Sequence, residues 1–202
     1  MLALCRDRAE REGLAPNLYA QASHELDLPR SYRTIYVCGS FGIGGNAEHD
    51  RIALRRVYEH LEPGGVLILD QEMPYADTDG WRSWSRWTKE GRRGMPEAFD
   101  DPGWRAGSDG TEYRLASRLV DVDPLAQRQT MEMRASMRRG DEIVEEQTLA
   151  IALTLYTARH IELLLTTTGF TDLELRDGYS DAAASPDTDT VVFLARKPEA
   201  SA

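Results

Sequence analysis

The middle of the chain alternates between apolar and polar stretches in a way that predicts a strand, a helix and a second strand. The run 34–38 is β-branched, aromatic or apolar, which is typical of a strand, and it stops at the glycine-rich stretch 39–45. Beyond the glycines, Leu54, Val57 and Leu61 recur at helical spacing. We therefore expect a helix that buries one face against the strands.

The ends of this unit carry their own signals. Asn46 is expected to cap the helix, with Glu48 and Asp50 in the first turn, where the helix dipole favours negative charge. The Pro-Gly-Gly sequence at 63–65 is expected to end it. The run 66–69 is apolar throughout, which predicts a strand covered on both faces and parallel to the first.

The flanking regions predict further elements. Residues 1–13 form an amphipathic pattern closed by a glycine, and Asn17 to Ala22 is predicted to be a short strand. Between 113 and 155, apolar and polar residues alternate with period two in three segments, which predicts an antiparallel meander with one wet face. A helix from Thr157 to Thr167 and strands near 173–175 and 191–194 complete the chain. The order predicts an α/β sheet with its ligand at the carboxyl ends of the parallel strands.

Composition narrows the classes of partner. The chain has 202 residues, which suits a single domain over 1–202, and its formal charge of −10 argues against nucleic acid or an anionic membrane as the main partner. No apolar run approaches the ~20 residues that a membrane-spanning helix needs. Cys5 and Cys38 are far apart on apolar segments, so we expect two small buried side chains in a reducing, cytoplasmic compartment.

Three stretches, 26–45, 53–75 and 156–175, together resemble the class I S-adenosylmethionine-dependent methyltransferases, in particular the small-molecule type with an inserted antiparallel sheet. The resemblance implies a Rossmann-like α/β sheet with an inserted three-stranded meander, in which region 76–156 covers the substrate. Members begin with a strand, a glycine-rich cofactor loop, a helix and an acidic strand end. None of these precedes Met1, so the resemblance implies an N-terminally incomplete sheet.

An incomplete sheet has a consequence for the strand predicted at Leu18 to Ala22. In the family's strand order this segment would lose both of its neighbours, and buried unpaired amides are costly. We expect the segment to pair elsewhere, to pair with a second copy in a homodimer or strand exchange, or to become disordered.

The resemblance also implies the cofactor, S-adenosyl-L-methionine, and residues on both sides of it. The loop bordering the adenine would be Gln21, Ala22 and Ser23. The strand end near the methyl group would be Cys38, Gly39 and Ser40, with Phe41 at the substrate entrance.

Methyl transfer needs alignment of acceptor and methyl, and a base only where the acceptor is protonated. By their positions near strand ends, Glu72, His24 and His49 are candidate bases, although surface or helix-start roles are the alternative for both histidines. Trp81 and Trp84, which repeat every three residues with Trp87, are candidate substrate contacts or the apolar floor of the insertion. Tyr156 is weighed equally for packing and substrate contact. No metal site is predicted.

The sequence therefore predicts methyl transfer to an oxygen or nitrogen of a small-molecule acceptor, impaired by the missing amino-terminal motif. The alternative is a non-catalytic remnant that binds a small apolar molecule under the meander or pairs with a partner that restores the sheet.

Overall fold

The computed structural model describes residues 2–74, 76, 97–107 and 109–200. In chain order its helices and strands are α1 (Leu2–Arg11), β1 (Tyr32–Val37), α2 (Ala47–His60), β2 (Leu61–Glu72), β3 (Arg105–Ala106), β4 (Glu112–Asp123), β5 (Arg128–Arg139), β6 (Glu142–Thr154), α3 (Ala158–Thr168), β7 (Thr171–Asp177) and β8 (Thr190–Arg196). A single 3₁₀ turn, Ser23–Glu25, precedes β1. Over these ranges, every helix is too short or too polar to traverse a lipid bilayer.

The main sheet has the strand order β1-β2-β8-β7. Strands β1 and β2 are parallel, whereas β8 is antiparallel to both of its neighbours. The core contains Leu67, Leu69 and Phe193 from the sheet together with Ile161 and Leu165 from α3, all of them fully buried. The predicted strand-helix-parallel strand unit and the α/β class are confirmed.

The second sheet has the order β3-β4-β5-β6 and is antiparallel throughout, which confirms the predicted meander. Its apolar positions are less buried than the alternation suggests, because Leu115 and Leu149 are 56% and 63% exposed. The other face carries arginines whose guanidinium groups lie over the rings of Phe99 and Trp104. Met131, Met133 and Met137, which lie on the same face as these leucines, are only half-buried.

Two predicted boundaries are corrected. Helix α2 ends at His60, before the proline and glycines, because Leu61 already takes extended backbone and pairs with Tyr32 of β1. The Lys197 ammonium also donates to the carbonyls of Tyr58 and Leu61, both at 2.8 Å, which satisfies acceptors at the helix end. Strand β2 is consequently twelve residues long instead of four.

The strand predicted over Asn17 to Ala22 is wrong, because those residues form no ladder with any described strand. The side chain of Gln21 instead brackets the 3₁₀ turn, donating to the Asp27 carbonyl at 3.0 Å and accepting from the Asp27 amide at 3.2 Å. Among the described strands, β1 has a neighbour on one side only, so its other edge carries no strand there.

Both cysteines are exposed, which overturns the prediction that they are buried. Cys5 lies on α1, where Ala9 is the buried residue, and Cys38 follows the last residue of β1 at the carboxyl end of the sheet.

Candidate functional site

The carboxyl end of β1 continues into a loop, residues 39–45, that is fastened to the end of the meander. The Gly44 amide donates to the Ala152 carbonyl at 2.7 Å, and the Thr154 amide donates to the Gly42 carbonyl at 2.8 Å. Gly42 has φ +79°, and a β-carbon there would lie 2.9 Å from the Thr154 carbonyl oxygen. The loop is thus held where the main sheet and the meander meet, and Gly42 admits no side chain without local movement.

Tyr156 follows β6 and ties the returning chain to α2. Its hydroxyl donates to Asp50 Oδ2 at 2.7 Å, and both residues are buried. Its ring lies 5.2 Å from the Phe41 ring between centroids. Burial first, and then the hydrogen bond to Asp50, raise the pKa of Tyr156 well above its usual value. The hydroxyl and ring are occupied by internal contacts, so the structure favours the packing role over the substrate contact weighed beside it.

The raised pKa of Tyr156 predicts a specific loss of stability in alkali. The folded state favours the neutral phenol, so the stabilisation is present below the unfolded value of about 10 and is lost as pH rises beyond it. In urea unfolding between pH 9 and 11, we expect the free energy of unfolding of the wild type to fall more steeply than that of Tyr156→Phe, by up to ~1.4 kcal/mol per pH unit. Parallel curves for the two proteins would contradict this.

A second cluster lies at the carboxyl ends of β1 and β2. Asp70, the tenth residue of β2, is buried, and its carboxylate accepts hydrogen bonds from the Gly39 amide and the Tyr179 hydroxyl. The Cys38 thiol lies 3.7 Å from Asp70 Oδ2, and the Tyr36 hydroxyl is hydrogen-bonded to that of Tyr179. We call Asp70, Tyr179, Tyr36 and Cys38 the Asp70 cluster.

Electrostatics keep both phenols of the Asp70 cluster protonated. The pKa of Tyr179 is raised well above its usual value, first by its hydrogen bond to the Asp70 carboxylate and then by its bond to Tyr36. The pKa of Tyr36 is also raised, with a side-chain hydrogen bond to Cys38 as the largest cause. Both phenols therefore stay protonated near neutral pH and do not serve as bases.

The structure brings together two of the three candidate bases. The imidazole rings of His24 and His49 are stacked, with centroids 3.9 Å apart and planes 9° from parallel. His49 lies in the first turn of α2, which is capped by Asn46 as predicted. Glu72 is the exposed last residue of β2, and it lies on the same sheet face as Asp70, which precedes it by two residues.

The predicted cofactor residues fall into two groups. Cys38, Gly39 and Ser40 are exposed at the carboxyl end of β1, whereas Gln21, Ala22 and Ser23 are exposed around the start of the 3₁₀ turn. Contacts between α2 and the 3₁₀ turn, including the histidine stack, place the second group beside the start of α2. Trp81 and Trp84 lie outside the described residues.

The contacts of Asp70, Tyr179 and Asp50 were not predicted from the sequence. Asp70 had a detectable signal, since it is a charged residue directly after the apolar run 66–69. Tyr179 had none, because it lies in a turn more than a hundred residues away and meets Asp70 only through the pairing of β7, β8 and β2.

A cavity of about 480 Å³ lies on the meander. Its walls include Pro102, Tyr113, Leu115, Met137 and Gln147. Gln147 is six residues along β6 from Leu153, which bridges to the glycine loop, so the cavity lies roughly 20 Å from that loop. It is a separate feature from the carboxyl edge of the main sheet.

Comparison with known proteins gives information on the fold. No protein-family model matches the sequence, and no curated protein matches it significantly. Several solved structures do match. One is a crystal structure of an S-adenosylmethionine-dependent methyltransferase from Clostridium acetobutylicum, with a TM-score of 0.72 and 18% identity over 98% of this chain and 71% of that chain.

Two further matches have more specific names. CalS10, an amino pentose methyltransferase from Micromonospora echinaspora involved in calicheamicin biosynthesis, has a TM-score of 0.57 and 20% identity over 97% of this chain and 69% of that chain. KedS8, a sugar N-methyltransferase from Streptoalloteichus sp, has a TM-score of 0.61 and 18% identity over 96% of this chain and 67% of that chain. At such identities the likeness concerns the fold.

Proposed function

We propose, on the premise that this chain has the fold of the class I S-adenosylmethionine-dependent methyltransferases, that it serves S-adenosylmethionine-dependent methyl transfer to an oxygen or nitrogen of a small molecule. The observation that carries the proposal is the match over 98% of the chain at a TM-score of 0.72. The named neighbours act on an amino pentose and on a sugar nitrogen, which supports a small polar acceptor.

The described residues fit one side of a cofactor site. Cys38, Gly39 and Ser40 are exposed where β1 ends, so a ligand can approach their backbone closely. S-adenosylmethionine would supply an electrophilic methyl on a sulfonium, and the chain's own residues would orient the two reactants. We assign the adenine border to Gln21, Ala22 and Ser23, and we keep Trp81 and Trp84 as proposed acceptor contacts.

Proton handling falls to groups at the same edge. Glu72 is an exposed carboxylate at the end of β2, able to accept a proton from an acceptor. His24 and His49 form the alternative base, and their stacking at the start of α2 makes them a single unit. Phe41, which we keep as a proposed residue of the substrate entrance, is buried against Tyr156.

We expect S-adenosylhomocysteine to bind at this edge and to bind weakly, with a Kd of about 100 µM or above. Among the described residues, 39–45 is the one glycine-rich turn that joins a strand to a helix. A second such turn would be needed to hold the other half of the cofactor. In a ¹H–¹⁵N NMR titration, the amides of Gly39, Ser40 and His49 should shift with one saturation curve. Gly140, in the β5–β6 turn, is the internal control and should not move.

Saturable binding that leaves the amides of Gly39 and Ser40 unmoved would contradict the proposed site. Absence of binding up to the solubility of the ligand would contradict cofactor binding by this chain.

A second candidate function is non-catalytic binding of a small apolar molecule, and the meander cavity is the observation that favours it. Its walls include Tyr113, Leu115 and Met137. An apolar fluorescent probe such as anilinonaphthalene sulfonate would report on it. Binding that weakens in Leu115→Glu, with S-adenosylhomocysteine inert, would favour this function over methyl transfer. Completion of the sheet by a second copy, in a homodimer or by strand exchange, remains a prediction, which the oligomeric state in solution would test.

A further inference from the structure

Asp70 is a buried carboxylate whose described partners are all neutral. It is 8% exposed, and its oxygens accept from the Gly39 amide and the Tyr179 hydroxyl, with the Cys38 thiol at 3.7 Å. Each of these donors carries only a partial charge. Buried charges in proteins are usually paired with an opposite charge or held by a ligand.

No lysine or arginine in the described ranges forms an ion pair with Asp70. Arg176 shares its sheet face, because Asp70 pairs with Val192 and Val192 pairs with Arg176. It lies two strands away, about 10 Å, and is held by Glu174 at 2.8 Å and Asp181 at 3.3 Å. The charge of Arg176 is thus balanced by its own neighbours. Asp70 has no ion-pair partner among the described residues.

The surroundings of Asp70 add more negative potential. Glu72 projects from the same face of β2, about 7 Å further along the strand. Two carboxylates side by side at the end of a sheet favour a cation between or above them.

Two tyrosine rings stand beside the carboxylate. Tyr36 and Tyr179 are 49% and 67% exposed, and their rings are 6.3 Å apart with planes at 83°. Their hydroxyls are occupied by hydrogen bonds within the Asp70 cluster. The two rings, which are nearly perpendicular, are left partly exposed to solvent. Ring faces attract cations through the aromatic quadrupole, more strongly where water is partly excluded.

We infer that Asp70, Tyr36 and Tyr179 form a binding subsite for the cationic group of a ligand, either an alkylammonium or a sulfonium. The carboxylate supplies charge and the two rings supply walls, a combination that suits a cation with methyl or methylene groups around it better than a metal ion. Whether the cation belongs to the cofactor or to the acceptor is a question that rests on the proposed function. Cation binding itself does not depend on it.

The direct test uses tetramethylammonium chloride as the probe and tert-butanol as its neutral counterpart of similar shape, both at constant ionic strength. In ¹H–¹⁵N spectra of the 202-residue chain, we expect saturable shifts with the cation at Tyr36–Gly39 and Gly178–Ser180. We expect none with tert-butanol. Equal shifts with both probes, or shifts elsewhere only, would overturn the inference.

Three variants sharpen the test. Asp70→Asn keeps the size and an acceptor oxygen but removes the charge, and it should weaken tetramethylammonium binding roughly tenfold or more. Tyr179→Leu removes a largely exposed ring and its hydrogen bond to Asp70 but keeps the carboxylate, so it tests the ring independently of Asp70→Asn and should weaken binding several-fold. Tyr19→Leu, which removes an exposed tyrosine ring outside the Asp70 cluster, is the matched control and should bind as the wild type does. Equal affinity in the wild type and Tyr179→Leu would overturn the inference.

The two sources of the cation separate in a further arm. If the subsite receives the sulfonium, Asp70→Asn weakens binding of S-adenosylmethionine but not of its neutral sulfide, S-adenosylhomocysteine. If it receives the acceptor's ammonium, the variant changes neither affinity while still losing tetramethylammonium. Binding of tetramethylammonium with both cofactor forms inert would refute the proposed function and leave the cation subsite standing.

Discussion

Replacing Gly42 with alanine is expected to destabilise the protein by about 2–4 kcal/mol. Two costs add up at this position. The backbone has φ +79°, which an L-residue adopts at a cost of about 1–2 kcal/mol, and the new methyl would lie 2.9 Å from the Thr154 carbonyl oxygen. The clash is with backbone that also carries the hydrogen bond from the Thr154 amide to the Gly42 carbonyl, so relief requires the loop to leave the meander.

Gly44→Ala is the matched control, because Gly44 has nearly the same φ, +76°, but open space around the added methyl. Its cost should be the backbone part alone, about 1–2 kcal/mol. Urea unfolding of the two variants and the wild type gives the comparison. Equal losses in the free energy of unfolding for Gly42→Ala and Gly44→Ala would show that the close approach of Gly42 to Thr154 carries no cost.

The elements that hydrophobic period determines were predictable. The strand-helix-strand unit around 34–69, the Asn46 cap, the period-two meander and the helix near 157–167 follow from local pattern, and they are confirmed. What failed depended on partners distant in sequence. Helix α2 ends at His60 because Leu61 pairs with Tyr32 of β1. Residues 17–22 form no strand because no described strand pairs with them.

The candidate site was predictable to the same extent. The carboxyl end of β1 was located from the glycines after an apolar run, and two candidate bases, His24 and His49, do meet. The hydrogen bonds of the two buried carboxylates, Asp70 and Asp50, could not be predicted from the local sequence pattern. Asp70 meets Tyr179 across 109 residues, and Asp50 meets Tyr156 across 106. Such pairs follow from the order of strands in space, which periodicity alone does not give.

These long-range contacts have a common effect on the loop after β1. Asp70 holds the Gly39 amide at the start of the loop, Thr154 and Ala152 hold Gly42 and Gly44 in its middle, and Asp50 in α2 is fixed by Tyr156 just beyond its end. A loop anchored at its start, middle and end presents a fixed backbone to a ligand, which is what alignment of two reactants requires.

The anchor at the far end is expected to carry a large share of that rigidity. Tyr156→Phe should lower the free energy of unfolding by about 1–3 kcal/mol, because it removes the hydroxyl that donates to a buried carboxylate and leaves Asp50 Oδ2 without that donor. The ring and its packing against Phe41 remain, so the loss reports on the hydrogen bond. Tyr113→Phe removes a phenol hydroxyl from an exposed ring and should cost less than about 0.5 kcal/mol.

A double-mutant cycle separates the bond from the residues that make it. In Asp50→Asn the amide oxygen still accepts from Tyr156, whereas in the double variant with Tyr156→Phe neither the charge nor the donor is present. The phenylalanine substitution should therefore cost less in the Asp50→Asn background than in the wild type, since an unpaired amide is cheaper to bury than an unpaired carboxylate. Equal costs in both backgrounds would mean that Asp50 is not the partner through which Tyr156 stabilises the fold.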